Sequence, residues 1–306
     1  MSDGSRWGAN VLAAARLAGD RGDLWLIGAL GALGYVAWLP LALAVSSVPR
    51  ASDLAFMGAG IFTSELFPLN LLLLATLAAL GILIGCLLSA LAEAALLRGL
   101  GLGTPQRPLT REVEVIFSVI LVAVLPAVAV AAALLSGVAA VAPAEYGAPD
   151  AGVPLALRIA LRLLPLLAGL AILTVVGQAF GGVATRKAAG PEAQSVGGAL
   201  RAALRDLVAH PARRFSLALV SLLVDVLAVV LAVALLRVLW VPIGADLAGG
   251  QLISPQALLL LVGFVAVWFA VILAFGALHV WISAWWSLEL GAWGERAPAV
   301  SRQAHS

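Results

Sequence analysis

The chain has 306 residues, 63% of them hydrophobic and 11% charged, with a formal net charge of +2. Soluble domains are about half apolar and about a quarter charged, so this composition excludes an ordinary water-soluble globule. The lone cysteine, Cys86, excludes an intrachain disulfide, and with three scattered histidines it leaves no zinc or haem spacing.

Residues 1–23 form an N-terminal segment in which Trp7, Val11 and Ala14 or Ala15 line one side of a helix, with Arg6 and Arg16 elsewhere. That is the pattern of an interfacial amphipathic helix. A membrane domain then spans 24–290, with apolar runs at about 24–48, 69–97, 115–141, 155–185, 216–240 and 256–288. About 20 apolar residues suffice to cross a hydrocarbon core about 30 Å thick, so each run reads as a transmembrane helix. Ala42-Leu43-Ala44 imitates a signal-peptide cleavage site. The first run is too long for a signal core, however, and the residues before it include Asp3, Asp20 and Asp23. Loops are expected at 49–68, 142–154 and 241–255, with a longer polar stretch at 186–215. Within that stretch a second amphipathic helix is expected at about 195–209, with Val196, Leu200, Leu204, Leu207 and Val208 on one face. Residues 291–306 read as a tail. The expected fold is therefore all-α, a polytopic bundle of six helices arranged as three hairpins.

Basic residues set the orientation, because positive charge accumulates on the cytoplasmic side. Of the 18 basic residues, 14 fall on one side, from Arg6 through Arg98, Arg107, Arg186, Lys187, Arg213 and Arg214 to Arg302. The other side has Arg50, Arg158, Arg162 and Arg237. Both termini and both amphipathic helices are expected on the cytoplasmic face of a bacterial plasma membrane.

Small residues recur at helical spacing: Gly28, Gly31 and Gly34; Gly81, Gly85 and Ser89; Gly169 and Gly177. Lipid gives helices no hydrophobic reason to associate, so such stripes allow the close backbone approach that holds a bundle together. Pro40, Pro126 and Pro165 fall within spans and are expected to kink them.

One carboxylate stands out. Asp225, in SLLVDVLAVV, lies ten residues from a boundary near Phe215, about 15 Å deep at the helical rise. Arg158 and Arg162 sit one turn apart at the start of the fourth run, and Arg162 matches Asp225 in depth. An Arg162–Asp225 ion pair is therefore expected, since a charge at that depth needs a partner or a proton. A shallower polar group, Glu93, Gln178 and His279, is a second candidate, and a Glu–His pair there could titrate near neutral pH.

Hydrolase elbow, HExxH, P-loop and paired acid/base motifs are missing from the sequence. Nothing in it calls for catalysis, a cofactor, a metal or nucleic acid. The stretches LLSALAEAALLRGLGLGTPQRPLTREVEVIFSVI and GQAFGGVATRKAAGPEAQSVGGALRAALRDLVAHPARRFSLALV share one pattern. In each, a helix runs through small residues into a basic loop and an amphipathic entry into the next helix. This resembles bacterial six-helix membrane proteins, including the membrane-domain family attached to some glycerophosphodiester phosphodiesterases. Their catalytic domain has no counterpart here, so the resemblance implies a membrane fold and no catalytic residue.

Two functions follow from these features. Short loops, small residues and uncharged first and third spans point first to a non-catalytic subunit or scaffold. Its partners would be the lipid bilayer and other membrane subunits or a second copy. The alternative is a permease or transport accessory for a lipid-like or anionic solute, bound at Arg158, Arg162 and Asp225. A water-accessible cavity reaching Asp225 belongs to transport; a dry, paired Asp225 belongs to a scaffold.

Overall fold

The computed structural model describes residues 3–34, 36–46, 60, 63–102, 107–146, 154–190, 195–249 and 255–291. Among them the regular structure is helical throughout. In chain order the helices are α1 (Asp3–Asp20), α2 (Trp25–Leu33), α3 (Leu39–Val45), α4 (Leu69–Gly99), α5 (Leu109–Tyr146), α6 (Leu155–Arg162), α7 (Leu164–Ala189), α8 (Val196–Ala209), α9 (Pro211–Ala248) and α10 (Pro255–Glu289). A 3-10 turn, Gly22–Leu24, joins α1 to α2.

Five helices, α4, α5, α7, α9 and α10, are long and apolar enough to cross a membrane. The chain is therefore an integral, multi-pass membrane protein. At 38 residues each, α5 and α9 reach about 57 Å at the helical rise, well beyond the hydrocarbon thickness. Helix continues through Pro143 in α5 and Pro242 in α9, so both expected loops begin as helix.

Two expected spans are not single helices. The first apolar run is divided into α2 and α3, neither long enough to cross alone. The fourth is divided at Leu163 into α6 and α7. Pro40 and Pro165 explain the positions of the restarts. Each lies in the first turn of the new helix, where its missing N–H costs no ladder bond. These prolines start helices rather than kink them. Pro126 does lie inside a helix, α5.

Basic residues mark one end of the bundle, called the basic end below. There α1 lies against the last turns of α10: Trp7 meets Trp285 edge-on at 5.1 Å, and the Trp281 indole donates to the Val11 carbonyl at 3.3 Å. Ala14, Ala18, Leu96, Ile116, Val183, Ala203, Leu217 and Trp286 belong to the same buried cluster, so seven helices share this core. The apolar sides of α1 and α8 are thus partly spent on protein. In α8 the buried stripe is Ala199, Ala203 and Leu207, and Leu204 and Val208 of the expected face stay exposed. Ser195 starts α8 by accepting the Gly198 N–H at 3.2 Å, a side-chain cap of the usual type.

Glycines set the closest approaches. A Cβ at Gly28 or Gly276 would overlap backbone of the facing helix, and so would one at Gly34, Gly85 or Gly177. Gly31 faces Ala92 and His279, and Ser89 lies against Gly34. Gly169 has looser contact, with Val130 at 3.9 Å, and Gly81 faces open space. The α4 stripe therefore packs in its lower half alone, near Gly85.

Candidate functional site

Close approach at Gly34–Gly85 and at Gly177–Ala123 brings α2, α4, α5 and α7 together around a cavity of about 440 Å³. Its walls also include α9 and α10, through Asp225 and through His279, Ile282, Ser283 and Trp286. The middle of the cavity is aliphatic, with Ile82, Ile120, Val124 and Leu173. Asp225 lies deeper, level with this aliphatic wall, while Glu93, Thr185, Arg186, His279 and Ser283 gather toward the basic end.

There Glu93 of α4 is buried among three partners. Arg186 of α7 pairs with it at 2.7 Å, His279 Nε2 of α10 stands 3.3 Å away, and the Ser283 hydroxyl donates to it at 2.9 Å. Arg186 is engaged through both of its terminal nitrogens. Its Nη1 donates to the Gly182 carbonyl at 3.2 Å, and its Nη2 donates to the Ser283 hydroxyl and carbonyl at 2.9 and 3.3 Å. The guanidinium also lies 5.9 Å from the centre of the Trp286 ring, within cation–π range. The Trp286 indole in turn donates to Ser221 of α9 at 3.2 Å. A buried charge is tolerable when paired and hydrogen-bonded on all sides, and Glu93 meets that condition.

Asp225 does not. It is half-buried, lines the same cavity, and makes neither hydrogen bond nor ion pair with any described residue. Gln178 of α7 also lines the cavity, likewise without a side-chain hydrogen bond among the described residues.

The expected Arg162–Asp225 pair is not formed. Arg158 and Arg162 turn instead to Glu145 near the end of α5: Arg162 Nε is 3.1 Å from its Oε1, and Arg158 Nη2 donates to its carbonyl at 3.0 Å. Counting residues fixes depth along a helix but not the direction in which a side chain leaves it. The break at Leu163 also sets α6 on its own course beside α5. The two arginines therefore belong to the far end. Glu93, Gln178 and His279 line one cavity with Asp225, and two candidate groups merge into one. Arg186 and Ser283 were missed, although the signal was available: Arg186 lies three residues before the end of α7 and Glu93 six before the end of α4, so their depths agree to within one helical turn.

Fold and site together define a multi-pass helical membrane protein with a partly open cavity between its spans, polar toward one end. Compared with family models, curated proteins and solved structures, the chain matches none of them. Its function is therefore read from its own residues.

Proposed function

We propose that this chain binds a small solute within the membrane, as a permease or as the binding component of a transport assembly. The supporting observation is the cavity that reaches Asp225 while leaving that carboxylate without a partner. A purely structural acid at this depth would be expected to be satisfied by protein. Cavity size also fits the range of small-molecule sites, about 300–1,000 Å³. The proposed orientation, with the basic end in the cytoplasm of a bacterium, rests on the 14 of 18 basic residues counted on that side.

Water access tests the reading. In a Cys86→Ser background, Gln178→Cys should react with a membrane-impermeant thiosulfonate added to one face of a reconstituted vesicle. The Cys86→Ser parent should not react. Failure of the Gln178→Cys thiol to react from either face would leave the cavity dry and remove transport. A subunit role has one observation of its own: the upper half of α4, with Leu72, Leu73, Leu77 and Leu80, is exposed all round. Co-purification in mild detergent tests that.

A further inference from the structure

The geometry points to a small organic ammonium ion with an apolar tail as the ligand of this cavity, its positive head on Asp225. This rests on the proposed solute-binding role and adds the ligand's charge and shape. Three features carry it. First, Asp225 makes no hydrogen bond or ion pair among the described residues: His279, whose charge reaches it, is held at 3.3 Å by Glu93, and a carboxylate withdrawn from water without a direct partner is costly. Second, the arginine that lines the same cavity, Arg186, already spends both terminal nitrogens on Glu93, Ser283 and Gly182, and His279 stands against Glu93 as well, so neither is turned to an anionic solute. Third, the wall is mostly aliphatic, from Ile82, Ile120, Val124 and Leu173, which suits a hydrocarbon tail. The Gln178 side chain adds a neutral acceptor in the same space. An anionic solute, the ligand expected when Arg158 and Arg162 were placed beside Asp225, finds neither arginine there.

Three probes of matched shape test the inference on the full chain in lipid nanodiscs: 2-phenylethylammonium, 2-phenylethanol and phenylacetate. Equilibrium binding of each is measured against empty nanodiscs. The ammonium probe should bind about thirtyfold or more tightly than the alcohol, the usual scale for completing a buried charge pair, and phenylacetate should bind weakest. Asp225→Asn should lower ammonium affinity to that of the alcohol without lowering thermal stability, since it removes a charge that has no direct partner. Equal binding of ammonium and alcohol would overturn the ammonium assignment and leave a neutral-solute cavity. Preference for phenylacetate would overturn it in favour of an anion site. Absence of binding by all three, in a protein whose Gln178→Cys variant does react with the thiosulfonate, would overturn the assignment and spare the solute-binding reading. Without that reaction, both fall.

Discussion

The two ends of the bundle are built differently. At the basic end, buried acids are clasped by arginines from other elements: Glu112 by Arg98 at 2.7 Å, Glu289 by Arg213 at 2.5 Å, and Glu93 by Arg186. Asp206 holds Arg214 at 2.6 Å, and Asn10 donates to Glu289 at 2.9 Å. Arg21 adds a surface clasp, donating to Asp23 and to the Gly99 carbonyl, and this bond holds the Asp23 carboxyl below its usual range. The far end has the Arg158, Arg162 and Glu145 group and small apolar clusters such as Leu236, Ile243 and Phe264. Between them the spans are wide open, with Leu72, Leu135 and Leu259 more than 60% exposed. Exposure of that kind would be ruinous in water and costs nothing in hydrocarbon. The contrast therefore locates the lipid: apolar surface is spent on the bilayer along the spans, and protein packs against protein where headgroups and water begin.

Breaking the basic end should have the largest effect. Glu93→Ala leaves the buried Arg186 guanidinium without its carboxylate, a loss of about 3–5 kcal/mol, read by unfolding in mixed detergent micelles. Replacing both residues by leucine should recover most of that loss, because a paired apolar substitution removes both buried charges together. If the double variant is as unstable as the single one, the clasp matters through its surroundings and not its charges.

Helix contact comes next. Gly276→Ala pushes a methyl into the Trp25 carbonyl and Ala29, and should cost about 1–3 kcal/mol as overpacking does. Gly81→Ala, facing open space, should cost nothing and gain helix propensity. Equal losses at the two sites would mean that α2 and α10 do not meet at Gly276.

The far end should respond least. Arg162→Ala removes a side chain that is 72% exposed, and an ion pair made by so exposed a partner contributes about 1 kcal/mol or less. A loss as large as that from Glu93→Ala would erase the distinction between the two ends.

Much of the fold was legible because hydropathy and helical period are local properties. The runs at 69–97 and 256–288 became α4 and α10, and the amphipathic pattern at 195–209 became α8. The breaks after Leu33 and at Leu163 were hidden, since a proline in an apolar run reads the same whether it kinks a helix or opens a new one. The site was half legible. Depth could be counted, and it correctly set Glu93 near His279. Azimuth could not, and so Asp225 was paired with Arg162, which turns to Glu145 instead. Glu145 escaped notice because Pro143 marked it as loop, and Arg186 because it was counted as a topology charge.

One contact carries a consequence for how this protein is made. Asn10 and Glu289 are 279 residues apart, and ribosomes add roughly 5–20 residues per second. The opening helix must therefore wait on the order of 15–60 s before its docking surface on α10 has been synthesised. During that interval Trp7 and Val11 have the headgroup layer as a berth, which suits their amphipathic pattern. Closure of the base by α1 therefore waits on α10, and a nascent chain stalled before α10 would keep α1 on the lipid surface.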